Sequence, residues 1–378
     1  MNKSVLFDAR LLLDKPTGVG QYISSLVPEM VRQAPDVHFH LLRRARPFPG
    51  YDVDTWNAPN LTHHISALRH MSLQQHIAVP QLARALNVSL LHYPHFDAPV
   101  FFGNIPVVAT IHDAKYLVEP EFFTRLGRVK RGYMRFCFAQ TLRWADAVAV
   151  DSHATAGDLA RLFGTEGGKR LVIPLAADPA FRPASSAVIA AVCSRYGLAR
   201  PFVLSVGELR PHKNTVGLLH AYAQSLSRLT HDLVFVGQAY QDYREPWEVA
   251  THLGLLDKVH FLTNVNLADL IGLYSGASLF VLVSFYEGFG LPILEAMACE
   301  TPVLASCTTS SGEITGDGGM QVDPTDIAAV TAQIDAILKD PGLQQTLIER
   351  GRRRAADFSW QRTARATLAL YEHVWQSQ

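Results

Sequence analysis

The sequence predicts an α/β protein built from two doubly wound, Rossmann-like domains, and three observations carry that prediction. Short, continuously apolar runs alternate with longer helix-patterned stretches along the whole 378-residue chain. Parallel strands covered by helices on both faces read this way, because neither face meets water. The alternation runs through twice, on either side of an irregular stretch, IPLAADPAFRPASSAV (173–188). Finally, the chain is longer than one hydrophobic core normally serves, so two domains of about 150–200 residues are expected.

Strand candidates in the first half are SVLF (4–7), HFHLL (38–42), SLLHY (89–93), PVVATI (106–111), AVAV (147–150) and LVI (171–173). In the second half they are FVLSV (202–206), LVFV (233–236), VHFL (259–262), LFVLV (279–283) and PVLA (302–305). Three prolines interrupt the periodicity between 173 and 188, and helix signals resume only after Ser185, as at a hinge. The expected domains are therefore residues 1–180 and 185–358. A last helix, about 360–378, carries Leu368, Tyr371 and Trp375 at helical spacing with no strand after it. It is expected to pack back on the first domain.

Composition narrows the partners. Lys plus Arg equal Asp plus Glu at 34 each, so no global field draws the chain to nucleic acid or an anionic membrane. Cys137, Cys193, Cys299 and Cys307 are scattered without CxxC or CxxH spacing, which argues against a disulfide framework or zinc site. The longest apolar runs fall far short of the ~20 residues of a membrane helix. The amino end meets Asp8 and Arg10 before a signal-like core can build. A cytoplasmic protein is expected.

In a doubly wound sheet, ligands bind outside the carboxyl ends of the strands, so the loops there are the ones to inspect. After the first strand, Gly18 and Gly20 bracket Val19 before a helix expected near Tyr22. Glycines here let backbone approach a phosphate at a helix amino end, and they equally serve a tight turn. His112 closes the PVVATI strand, placed to bond a hydroxyl or carry a proton. In VGELRPHKN, Arg210, His212 and Lys213 crowd a turn before a helix that Asn214 or Thr215 would cap. That is either a diphosphate seat or a solvated basic loop.

The stretch SFYEGFGLPILEAMA (284–298) is the most informative. A buried strand ends, Tyr286–Gly290 turn, and a helix begins near Pro292. Free amides near Phe289, Gly290 and Leu291 suit oxyanions or sugar hydroxyls. Glu287 lies in the loop and Glu295 about one turn into the helix, so the two serve different parts of one elongated ligand. A carboxylate there matches the paired hydroxyls of a ribose or a hexose.

This glutamate pair, inside SFYEGFGLPILEAMACETPV, resembles the signature of retaining glycosyltransferases of the GT-B fold, family 4. TGVGQY, IHD (111–113), GELRPHKN, FLTNVNLADLIGLYSGA (261–277) and FSW…LYEHVW fall where that family has its motifs. The resemblance implies two Rossmann-like domains, an acceptor domain (1–180) and a nucleotide-sugar donor domain (185–358), facing across a cleft that closes on a nucleoside-diphosphate sugar. It implies that Glu287 contacts the transferred sugar beside the Phe289 and Gly290 amides, and that Glu295 holds the ribose. Lys213, helped by Arg210, would neutralise the leaving diphosphate. His112 would face the sugar, the Gly18–Gly20 loop would close over phosphates or acceptor, and Asn264 and Val265 would lie along the base. The chain departs from relatives at Glu208 and His212, where arginines are common, and at Ala176, often glycine.

The implied reaction moves a hexose to the hydroxyl of a glycan or lipid-linked acceptor in surface-polysaccharide assembly. Similarity in TGVGQY, IHD and PHKN leans toward mannose from GDP-mannose, with UDP-linked donors open. The alternative is a nucleotide-sugar epimerase on a similar scaffold. No cofactor and no metal are expected; Asp52-Val53-Asp54 follows no strand and reads as chance. Residues 121–135 carry five bases against one acid. Arg125, Arg128, Arg131 and Arg135 follow helical spacing, with Leu126, Val129, Tyr133 and Phe136 on a second face. This is an ordinary amphipathic helix or a peripheral contact with an anionic membrane.

Overall fold

A computed structural model describes residues 3–100, 105–123, 126–164, 170–240 and 243–378. The chain divides into two units, Met1–Leu175 together with Ser359–Gln378, and Ala176–Phe358.

Among the described residues, the first unit holds a seven-stranded parallel sheet. Its strands are β1 (Ser4–Asp8), β2 (His38–Arg43), β3 (Leu61–Ile65), β4 (Leu90–Tyr93), β5 (Val107–Ile111), β6 (Ala147–Val150) and β7 (Arg170–Val172). They lie in the order β3-β2-β1-β4-β5-β6-β7, so the winding reverses between β1 and β4. The second unit holds β8 (Phe202–Val206), β9 (Asp232–Val236), β10 (Val259–Leu262), β11 (Leu279–Leu282), β12 (Val303–Ser306) and β13 (Met320–Val322). Their order is β10-β9-β8-β11-β12-β13, reversing between β8 and β11. Both are Rossmann-like, and their central strands are largely buried and mostly apolar because helices cover both faces.

Two strands escape the apolar-run criterion, β3 and β13. Both lie at a sheet edge, and β3 reads LTHHI with no buried residue. An edge strand needs fewer apolar side chains, because it is covered less.

The helix Trp360–Gln376 belongs to the first unit. Ser359 caps it, accepting from the Arg362 amide. Its core-facing stripe runs Trp360, Thr363, Ala364, Thr367, Leu370, Tyr371 and Val374. Thr363 Oγ1 donates to Pro174 O at 2.7 Å, and the Tyr371 hydroxyl bonds His92 Nδ1. Leu368 and Trp375 are half-buried at its flank.

Candidate active site

The second sheet's reversal point gathers the strongest sequence candidates. After β8 the chain makes a tight turn, Pro211–Lys213, and enters the helix Thr215–Gln224. Asn214 occupies the N-cap position expected of Asn214 or Thr215, but its side chain makes no capping bond to that helix. It takes a left-handed conformation (φ 55°) and donates from Nδ2 to Val283 O at 3.0 Å and Pro324 O at 2.8 Å. The Phe285 amide donates to His212 O at 2.8 Å. These bonds fasten the loop after β8 to the loop after β11. His212 is 3% exposed and acts inside the loop, not as a solvent-facing cation.

The result is a close ion pair. Lys213 Nζ donates to Glu287 Oε1 at 2.6 Å and Oε2 at 2.7 Å, and Ser284 Oγ donates to Oε1 at 2.7 Å. The two side chains keep 19% and 10% of their surface exposed, so a ligand can reach the pair. Glu287 is also held by its backbone. Its amide donates to Thr309 Oγ1 at 3.2 Å, and Ser310 Oγ donates to its carbonyl at 2.8 Å. Ser284, Thr309 and Ser310 drew no notice in the sequence, because a hydroxyl bracing a loop has no pattern of its own.

Gly290 then turns the chain at φ 99°, a conformation that L side chains rarely adopt, and Leu291–Ala298 forms a helix with Pro292 in its first turn. Phe289 is buried and Leu291 half-buried. Glu295 is on this helix and accepts from the Tyr274 hydroxyl at 2.8 Å. Burial raises its carboxyl to about 7, with Asp178 adding to the shift and the Tyr274 bond opposing it. Glu287 and Glu295 thus have separate partners, Lys213 and Ser284 for the first and Tyr274 for the second.

Arg210 points elsewhere. Its Nε donates to Glu208 Oε2 at 2.6 Å, and its guanidinium lies 3.5 Å from the Tyr240 ring centroid. Glu208 therefore draws on the charge that Arg210 was expected to lend a diphosphate. Beside this strand edge, Gln238 Nε2 donates to Asn264 Oδ1 at 2.7 Å, with Asn264 left-handed at φ 56° and Val265 half-buried.

In the first unit, His112 follows β5 and meets Asp151, which follows β6. His112 Nδ1 lies 2.7 Å from Asp151 Oδ2, while His112 Nε2 is buried with no partner among the described residues. Burial opposes a charged ring, but the Asp151 carboxylate, its hydrogen bond and Asp113 outweigh it, so the imidazole pKa rises. The Tyr22 ring packs edge-on at 4.7 Å. Asp151 was missed because a lone aspartate at a strand end carries no spacing signal.

The Gly18–Gly20 segment differs from expectation. The helix begins at Gly18, with Thr17 as its cap, so both glycines lie in the first turn. A Cβ on Gly20 would fall 2.1 Å from the Tyr51 hydroxyl, so packing demands that glycine. Nothing lies within 4 Å of a Cβ on Gly18. Asp54, of the Asp-Val-Asp triplet, pairs with Arg43 at 2.7 Å.

The basic stretch forms the start of a helix, Arg128–Trp144, and Arg125 lies outside the described residues. Its core face is Met134, Cys137, Phe138, Thr141 and Leu142. Val129 and Phe136 are therefore not a buried apolar face. They are 88% and 52% exposed, alongside Arg128, Lys130 and Arg135. The core stripe lies mostly beyond residue 135, which displaced the expected face. Among the described residues no helix is long and apolar enough to cross a membrane.

Comparison with known proteins places this geometry. Residues 16–181 match the family model Glycosyltransferase Family 4, and 197–354 match Glycosyl transferases group 1. The O-antigen chain mannosyltransferase B of Escherichia coli is 33% identical over 287 residues, covering 75% of this chain and 74% of that protein. The chain belongs to glycosyltransferase family 4. The MMP alpha-(1->4)-mannosyltransferase of Mycolicibacterium hassiacum is 31% identical over 71% of this chain and 65% of its own length. Among solved structures, a sucrose-phosphate synthase from Thermosynechococcus elongatus aligns over 100% of both chains with a TM-score of 0.78 at 23% identity. Anabaena HepE, in complex with UDP and glucose, aligns over 98% of this chain and 100% of its own with a TM-score of 0.78 at 21% identity. The family 4 glycosyltransferase has the GT-B fold.

Proposed function

We propose that this family 4 glycosyltransferase moves a hexose, mannose from GDP-mannose, to a hydroxyl of a glycan or lipid-linked acceptor in surface-polysaccharide assembly, with retention at the anomeric carbon. The observation that carries the reading is the Lys213–Glu287 pair at the β8/β11 reversal point. An ammonium has three donors. Moving one from Glu287 to the departing diphosphate would stabilise charge that grows in the transition state, while Glu287 turns toward sugar hydroxyls. Glu295 takes the ribose hydroxyls, and the amides of Phe289, Gly290 and Leu291 lie beside the sugar and phosphates. Asn264 and Val265 line the base, and Arg210 assists Lys213 less than its position in the sequence implied.

In the reaction, the acceptor oxygen bonds to the anomeric carbon on the face that the diphosphate leaves. The bond from that carbon to the phosphate oxygen breaks, and the hydroxyl proton passes to the departing phosphate. His112, held by Asp151, supplies a hydrogen bond to a sugar hydroxyl, and of the two glycines Gly18 keeps backbone open for phosphate or acceptor while Gly20 makes room for the Tyr51 hydroxyl. A double-displacement route needs a carboxylate under the anomeric carbon. Both glutamates of the corner already have other tasks in this reading.

Support for mannose comes from the relatives named as mannosyltransferases, and support for a nucleotide-sugar donor from HepE bound to UDP and glucose. Family membership favours transfer over epimerisation. The exposed Val129 and Phe136 among bases fit peripheral attachment to anionic lipid, which flotation with anionic vesicles tests against an Arg128→Gln, Lys130→Gln, Arg135→Gln variant. The function itself is tested with a panel of GDP- and UDP-linked sugars in EDTA. Acceptor-dependent GDP release from GDP-mannose, with an α-linked product by NMR, is expected. An inverted product, or loss of transfer in EDTA, overturns the mechanism.

A further inference from the structure

The first unit buries a chain of polar side chains that no step of the reaction uses. Tyr371, on the last helix, hydrogen-bonds His92 Nδ1, and His92 Nε2 lies 2.8 Å from Thr110 Oγ1. Thr110 Oγ1 in turn lies 3.0 Å from the hydroxyl of Tyr22, on the helix that opens at Gly18. All four residues are 3% exposed or less. Burial lowers the His92 pKa to about 3, with charge on His112 adding to the shift, so the ring is neutral. A neutral imidazole donates from one nitrogen and accepts at the other, and a hydroxyl does both, so each link of the chain is satisfied.

The chain ends against His112. The Tyr22 and His112 rings meet edge-on, with centroids 4.7 Å apart and planes at 73°. Trp360, the first residue of the last helix, lies 6.3 Å from Tyr22 between ring centroids. The last helix therefore reaches Tyr22 twice, once by an aromatic contact and once through hydrogen bonds. Asp151 holds only Nδ1 of His112, and one bond leaves the ring free to rock unless packing stops it. Apolar side chains of the same shape would fill this space without any desolvation to offset. What a fully satisfied buried network adds is rigidity, and the group at its end is His112.

We propose that Tyr22 is a positioning residue for His112, locked by the Tyr371–His92–Thr110 chain, so that the last helix sets where His112 Nε2 points. This rests on the transferase reading above, in which His112 bonds a sugar hydroxyl. Tyr22, Thr110, His92 and Tyr371 touch no substrate themselves and act through the His112 ring. Small displacements of such a ring matter, because a misplacement of about 1 Å can cost on the order of 100-fold in rate.

The experiment uses Tyr371→Phe, which removes one hydroxyl and keeps the ring. With GDP-mannose, or whichever sugar nucleotide of the panel turns over, and octyl α-mannoside as acceptor probe, kcat should fall about five- to tenfold, the scale of one hydrogen bond. In a His112→Ala background the same substitution should cost nothing further. Tyr22→Phe breaks the chain at its other end. It should cost a similar factor, and the two changes together no more than the larger. A Tyr371 that merely supports the fold would lower the melting temperature and leave kcat alone, or lower kcat equally with and without His112. Either outcome overturns the proposal. The His112 imidazole 15N signals, read without substrate, should move in both single variants. If wild type turns over no GDP- or UDP-linked sugar, the transferase reading fails instead, and those signals alone decide the lock. Unchanged signals in variants that melt like wild type overturn it.

Discussion

The two units wind their sheets on the same plan and treat charge at the reversal point in opposite ways. At β8/β11, Lys213 and Glu287 form an ion pair that keeps 19% and 10% of its side-chain surface in solvent. At β1/β4, Arg10 and Asp8 form one that keeps 1% and 3%. The first pair can be opened by a ligand that supplies a competing oxyanion. The second cannot be reached, and through Gln75 it braces the buried carboxylate of Asp97. The topology selects the place where chemistry happens, and the depth of burial decides whether an ion pair there is machinery or support.

Breaking each pair sharpens the contrast. Arg10→Ala strands the Asp8 carboxylate in the interior, and loss of one partner of a buried pair costs about 3–5 kcal/mol. A large drop in the urea midpoint of the first unit is expected, with loss of activity following unfolding. Lys213→Ala should do the reverse. Turnover should fall roughly 100- to 1,000-fold, as for the loss of one transition-state donor, while the urea midpoint stays near wild type. Turnover within a few-fold of wild type would remove Lys213 from the mechanism.

Asp151→Asn probes the His112 pair through pH. The folded imidazole pKa lies above its unfolded value near 6.5. The stability this gives is therefore fully present below that value and is lost as pH rises through the folded pKa. Burial also raises the Asp151 carboxyl, with His112 opposing, so the variant gives up the charged hydrogen bond and relieves that burial cost together. It should lose stability at pH 6, where the ring is charged, and clearly less at pH 9. Equal losses at both would contradict the ion pair.

The smallest effect belongs to Glu295. Its folded carboxyl is raised to about 7 by burial, so the folded protein holds a proton that the unfolded chain has released between about 4.5 and 7. Stability falls with rising pH across that window. Glu295→Gln should raise the melting temperature at pH 8 by about 2–4 °C, have no effect at pH 4.5 and weaken donor binding. A lower melting temperature at pH 8 would contradict the burial argument.

Much of this arrangement was legible in the residues. The central strands announced themselves as apolar runs because helices bury both of their faces, and EGFGLP announced its turn because Gly290 and Pro292 each have a backbone reason to be there. Edge strands β3 and β13 were not legible, since LTHHI and MQV break the apolar run with polar side chains that an edge tolerates, whereas the edges β7 and β10 kept theirs. Partners joined by tertiary contact left no trace either. Ser284, Thr309 and Ser310 around Glu287, Asp151 on His112, and Gln75 on Asp97 are common residues whose value comes from positions up to dozens of residues apart in the chain. Arg210 shows the converse, a charge legible in sequence whose neighbour Glu208 redirects it.

The most direct test of the central claim is calorimetric titration of GDP into wild type and into folded Lys213→Ala. The account predicts saturable binding in wild type, at least about tenfold weaker in the variant. Identical affinities, or no heat from GDP or UDP in either protein, would contradict it.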